Sequence, residues 1–135
     1  MNVVWSATSP ETGRFSAAVM RSDLTELEGR FAALRSRGEG YLEVELPTGD
    51  SPQVSVSFRG DGAVVQQISD LEAPVSSLLV GDGSVPPEAR IEVPVMDELA
   101  DFTGDFVMNV DRAWAAVRDF VRTGSAAGLG EWYEL

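Results

Sequence analysis

Apolar residues return at every third or fourth position in two stretches of this chain, and at every second position over much of the rest. Leu24, Leu27, Phe31 and Leu34 form the first helical stripe. Asp23 stands where an N-cap belongs, and Glu26 three residues later fits a capping box. Gly38 follows where a left-handed residue would end the helix. The second stripe is Trp114, Val117, Phe120 and Val121, with Asn109 or Asp111 as cap and Thr123-Gly124 as stop.

Alternation predicts strands elsewhere. Residues 2–8 and 14–20 read as two short strands separated by the turn Ser9-Pro10-Glu11-Thr12-Gly13. From Tyr41 to Leu46 the pattern turns Leu42, Val44 and Leu46 inward and Glu43 and Glu45 outward. After the turn Pro47-Thr48-Gly49-Asp50, residues 53–58 alternate again. Val54, Val56 and Phe58 face inward, and Gln53, Ser55 and Ser57 face outward. Asp61-Gly62 is expected to supply the positive φ of a tight hairpin, after which Ala63 to Ile68 returns as a third strand. Leu78-Leu79-Val80 reads as a short strand and residues 81–87 as loop. Ile91 to Val95 alternates, but Pro94 has no amide hydrogen and confines it to an edge or a strand end. Asp97 to Phe102 fits either a loop or one helical turn. Residues 106–110 read as extended and 131–135 as a closing strand. Trp5 and Trp132 lie on terminal strands that could pair. The sum is one α+β domain over residues 1–135, a mostly antiparallel sheet with two main helices packed on it.

Length and composition agree with that reading. The 135 residues give room for one core, and a hydrophobic share of 44% is that of an ordinary globular chain. No apolar run reaches the roughly eighteen residues of a membrane-spanning helix. The N-terminal residues lack the pattern of a signal peptide, and without cysteine there is no disulfide framework. The expectation is a cytoplasmic protein.

Charge narrows the choice of partner. Twenty-two acids face ten basic residues, all of them arginine, for a net −12. Such a chain repels nucleic-acid phosphates and anionic membranes, and attracts basic surfaces. The acids are unevenly placed: between Glu39 and Asp111 there are fifteen, against only Arg59 and Arg90. Acidity of this kind serves solubility, but its concentration in the middle of the chain suits a partner-facing surface.

The side chains that carry most chemistry are missing. The sequence has no histidine, cysteine or lysine, which removes imidazole bases, thiolates, Schiff bases and the usual zinc ligands. Gly38-Glu39-Gly40 and Gly81-Asp82-Gly83 lack the third glycine of a dinucleotide fingerprint. Carboxylates remain. Asp97, Glu98, Asp101 and Asp105 are the densest group, but their spacing is not that of a calcium-binding loop. They read either as a solvated acidic loop or as a partner contact. Arg59-Gly60-Asp61 spells an adhesion tripeptide, yet it sits where a hairpin must turn. No catalytic residue, metal ligand or cofactor is expected. Trp114 is expected in the core, and Trp132 either in the core or at an interface.

The C-terminal quarter carries a resemblance. Ala113-Trp114-Ala115-Ala116-Val117-Arg118-Asp119-Phe120-Val121-Arg122-Thr123-Gly124, followed after a gap by Glu131-Trp132-Tyr133-Glu134, resembles the alanine-rich helix, glycine stop and tryptophan strand that close bacterial immunity proteins. The likeness is to the family numbered first among the immunity proteins of polymorphic toxin systems. Ser125-Ala126-Ala127-Gly128 departs from it where an arginine-proline step is usual. The resemblance implies an intracellular antidote that binds a cognate toxin domain, often a deaminase or nuclease, and occludes its basic active site. Expected contacts are Glu43, Glu45, Asp97, Glu98, Asp101, Asp105, Trp132 and Glu134. Other readings are an accessory or chaperone-like binding module, or a carboxylate-based enzyme or small-molecule binder.

Overall fold

In a computed structural model, described over residues 2–48, 52–69 and 75–135, the Asp23 carboxylate accepts a hydrogen bond from the Glu26 amide at 2.9 Å. That cap starts helix α1 (Leu24–Arg37), which Gly38 ends at a φ of 101°. Helix α2 (Val110–Thr123) opens on Asn109, whose side-chain oxygen accepts from the Asp111 amide at 2.9 Å, and closes on Gly124 at a φ of 75°. Of the two residues that could cap this helix, Asn109 does so.

Among the described residues ten strands complete the fold. They are β1 (Asn2–Thr8), β2 (Phe15–Asp23), β3 (Glu39–Glu45), β4 (Gln53–Arg59), β5 (Gly62–Ser69), β6 (Val75–Leu79), β7 (Arg90–Val95), β8 (Glu98–Thr103), β9 (Met108–Asn109) and β10 (Trp132–Glu134). The main sheet runs β10-β6-β5-β4-β3-β1-β2, with β9 added on β5, and its pairings are antiparallel. The protein is therefore α+β, with two helices on one face of an antiparallel sheet.

Register divides the sheet residues between two faces. Val3, Trp5, Leu42, Val44, Val54, Val56, Phe58 and Val65 meet Leu27, Phe31 and Leu34 of α1 and Val110, Trp114, Val117 and Phe120 of α2 in one core. Each large side chain so enclosed contributes about 1.5–3 kcal/mol of hydrophobic stabilisation. Phe31 is central, 5.3 Å from Phe58 and 4.5 Å from Trp114 between ring centroids.

The second face is covered too. Among the described residues strands β7 and β8 pair only with each other, and they lie across the main sheet, burying Val93 against Val64, Leu78 and Val107. Ser55 and Ser57, expected to face solvent, are therefore buried. A third layer makes a polar outward row into an interior one.

Four further expectations change. Residues 97–102 form neither a loop nor a helical turn. Most of them belong to β8, whose register with β7 satisfies the backbone. Residues 106–110 are extended from Val107 through β9, whereas Phe106 ends a 3-10 turn and α2 already begins at Val110. The positive φ of the β4–β5 turn falls on Gly60, at 61°, and not on Asp61 or Gly62. Glycine at the first central position is the requirement of a type II′ hairpin. Strands β1 and β10 do not pair; β10 lies beside β6, so Trp5 and Trp132 stand toward opposite ends of the sheet.

Candidate partner-binding surface

The β7–β8 hairpin is the outermost part of the sheet's second face, and alternation sorts its side chains. Ile91, Val93 and Phe102 pack inward, while Glu92, Leu99 and Asp101 are exposed. Glu92 stands directly opposite Asp101 and Pro94 opposite Leu99. Like charges facing each other across an antiparallel pair oppose the pairing. The hairpin keeps this arrangement because its inner residues are buried and its base is fixed. The Gly81 amide donates to the Asp105 carbonyl at 2.7 Å, and the Gly104 amide to the Ala89 carbonyl at 2.9 Å.

The tip is held as well. Asp97 accepts a hydrogen bond from the Phe15 amide of β2 at 2.8 Å. Met96 beside it has a φ of 57°, a left-handed conformation that costs a non-glycine residue about 1–2 kcal/mol. Met96 and Leu99 leave 49% and 54% of their surface exposed, so a strained turn presents two apolar side chains among acids.

Net charge differs between the layers. Arg30, Arg35 and Arg37 lie on α1 with Glu26 and Glu28, and Arg112, Arg118 and Arg122 on α2 with Asp111 and Asp119, so six arginines meet four acids there. The hairpin carries Glu92, Asp97, Glu98 and Asp101 against Arg90, and Arg37 at the end of α1 lines one pocket with Asp97 and Glu98. Among the described residues the ion pairs are both made by Arg35, to Asp111 at 2.5 Å and to Asp61 at 3.8 Å. Those two acids belong to the helix side of the molecule. No acid of the hairpin has an arginine partner among the described residues.

The expected contact residues thus fall into three groups. Asp97, Glu98 and Asp101 share the hairpin. Glu43 and Glu45 project from β3 on the sheet face that the hairpin partly covers, and Asp105 accepts from the Thr103 hydroxyl at its base. Trp132 and Glu134 are apart from these, on the far edge strand. Trp132 packs on the main core and donates its indole N–H to the Ala126 carbonyl at 2.9 Å, while register turns Glu134 toward the helix side.

One feature lay beyond sequence reasoning. Between the hairpin tip and the uncovered part of the sheet runs a groove of about 290 Å³. Its floor is a row of direct cross-strand neighbours, Glu43 on β3, Ser55 on β4 and Gln66 on β5. The buried Tyr41 phenol donates to Glu43 Oε1 at 2.9 Å, and Ser55 hydrogen-bonds the phenol in turn. Burial first, then the charge and the hydrogen bond of Glu43, push the phenol well above the ordinary tyrosine range. Tyr41 therefore stays a neutral donor. Alternation along 41–46 places Tyr41 and Glu43 on one face, which was the available signal; the covering hairpin that makes a groove of that face was not legible.

Among the described residues no group of three or more acids is arranged to hold a metal ion, and no helix is long and apolar enough to cross a membrane. Comparison of the sequence with protein-family models and with curated proteins gives no match.

Proposed function

We propose that this protein is an inhibitor that binds a basic protein domain through the acidic hairpin layer, acting in the cytoplasm as an immunity protein against a toxin. The observation that carries the reading is the imbalance of charge: the β7–β8 hairpin carries Glu92, Asp97, Glu98 and Asp101 against Arg90, none of these acids in an ion pair among the described residues, whereas the helices carry six arginines against four acids. A toxin that acts on nucleic acid presents a basic cleft. An acidic ridge tipped with Met96 and Leu99 can enter such a cleft, offering carboxylates where phosphates would lie and apolar contact at the tip. Glu92 opposite Asp101 supports this, because an arginine set between them would relieve their repulsion. The C-terminal resemblance to immunity proteins points the same way.

The test uses the C-terminal domain of a secreted protein encoded beside this chain. Expressed alone it should arrest growth, and co-expression of this chain should restore it. The double variant Glu92→Arg/Asp101→Arg should fold yet fail to protect, and wild-type binding should weaken steeply with salt. A harmless neighbouring domain, or protection unchanged by the charge reversal, overturns the proposal.

A further inference from the structure

The geometry points to the groove beside the hairpin as a receptor for one guanidinium group, carried by an arginine side chain of the protein partner. The inference rests on the reading of a basic partner and assigns that partner's central contact.

Four features select this ligand. Glu43 is half-buried, and one of its oxygens is fixed by the Tyr41 phenol at 2.9 Å, so the carboxylate is oriented before anything binds. Among the described residues its other oxygen, Oε2, accepts no hydrogen bond and is available to a cation. Gln66 on the floor and Gln53 at its margin bring amide carbonyls, which suit the remaining N–H groups of a planar, five-donor cation. Ile68 on the sheet and Met96 on the hairpin tip give apolar walls.

A carboxylate and two amides lining one groove with apolar side chains match guanidinium better than ammonium. A guanidinium is weakly hydrated, donates along its edge and offers apolar faces, whereas an ammonium is compact and strongly hydrated. The structure also explains why Tyr41 is not phenylalanine. Its hydroxyl holds Glu43 in the row with Ser55 and Gln66, and its raised proton affinity keeps it from becoming a competing anion.

The site can be tested on the isolated protein by amide chemical-shift titration with capped arginine (N-acetyl-arginine amide). Shifts should concentrate at Tyr41, Glu43, Ser55 and Gln66. Capped lysine should bind several-fold more weakly and capped citrulline not detectably. Glu43→Gln should weaken capped arginine about tenfold or more, the scale of one charge-assisted hydrogen bond. If that variant unfolds, Gln66→Leu, which leaves the Tyr41–Glu43 pair intact, should still weaken it several-fold.

Free arginine, which brings an α-carboxylate to an acidic surface, should bind less well than the capped form. The reverse order would assign the groove to a free small molecule and overturn the inference. Equal affinity for arginine and lysine, or shifts spread over the hairpin acids and unchanged in Glu43→Gln, would overturn it as unspecific charge attraction. Glu92→Arg/Asp101→Arg separates this from the function proposed above: it should abolish protection while leaving the capped-arginine shifts at Tyr41 and Glu43.

Discussion

The ring of Phe31 on α1 lies flat against that of Trp114 on α2, centroids 4.5 Å apart and planes 12° from parallel. One turn further along α1, Arg35 reaches Asp111 in the first turn of α2 at 2.5 Å. The aromatic contact is buried and the ion pair exposed, so they differ in weight. Exposed pairs contribute about 0–1 kcal/mol, whereas truncating a buried tryptophan costs about 3–5 kcal/mol. Trp114→Ala should therefore lower stability by about 3–5 kcal/mol, and Arg35→Ala by less than about 1 kcal/mol. Urea unfolding of the two variants checks the difference; a near-wild-type midpoint for Trp114→Ala would mean the helices are not joined through that ring.

Both helices were legible in the sequence because their apolar spacing, caps and glycine stops agree. Asp23, Asn109, Gly38 and Gly124 stand where local chemistry alone would put them. The strands β1 to β5 were legible for the same reason, since alternation is a local signal. Pairing is not local, and nothing in the sequence of residues 131–135 says that β10 joins β6 and not β1. The third layer was hidden in a different way. Pro94 argued for an edge, correctly, but Asp97-Glu98-Leu99-Ala100-Asp101-Phe102 has an acidic content that disguises its strand. Only the half-burial of Phe102 and of Ala100, which stands opposite the buried Val93, distinguishes that strand from a solvated loop, and burial depends on the sheet beneath. The groove at Glu43 exists only once that layer is in place.

Glu92 and Asp101 should trade stability against binding. They face each other on paired strands with no cation between them among the described residues. Replacing one carboxylate removes the repulsion and leaves the apolar side of the hairpin untouched. Asp101→Asn should therefore raise stability by about 0.2–1 kcal/mol, the range for directly opposed cross-strand pairs. The same variant should bind the basic partner more weakly and with a shallower salt dependence. Paired urea midpoints and binding measured at two ionic strengths decide the matter. A destabilised Asp101→Asn would show that the carboxylate serves the fold.

Gly104 sets how closely the base of the hairpin approaches the loop before it. A Cβ built there would lie 1.9 Å from the Pro86 carbonyl oxygen, a backbone atom that cannot swing aside. Gly104→Ala should force the 80–89 loop away from the 3-10 turn that Gly104 begins (Gly104–Phe106). The expected cost is about 1–3 kcal/mol, as for overpacked interiors. Because the strain enters at the hairpin base, hydrogen exchange should accelerate first at β7 and β8 and leave α1 and β1 near their wild-type rates. Uniform acceleration across the sheet would place the strain elsewhere.

Asp82 gives the fold a defined acid dependence. Its Oδ2 accepts the Asn109 amide at 2.9 Å and its Oδ1 the Ser84 amide at 3.0 Å, tying the 80–89 loop to the residue that caps α2. Burial alone would raise its pKa. The hydrogen bonds from Asn109 and Ser84 outweigh burial, and the carboxyl titrates below its ordinary 3.8. A depressed folded-state pKa means that the unfolded chain takes up the proton first as pH falls. The stabilisation from Asp82 is then fully present above the unfolded value, begins to fade near it, and is gone once pH has passed below the folded one. Asp82→Asn should be less stable than wild type at pH 7, and the gap in urea midpoint should close as pH is taken below 3.8. Above about pH 5 the gap should be flat, since Asp82 is ionised in both states there. If the gap persists undiminished at the lowest pH, the loop is held by side-chain shape and not by the charge on Asp82.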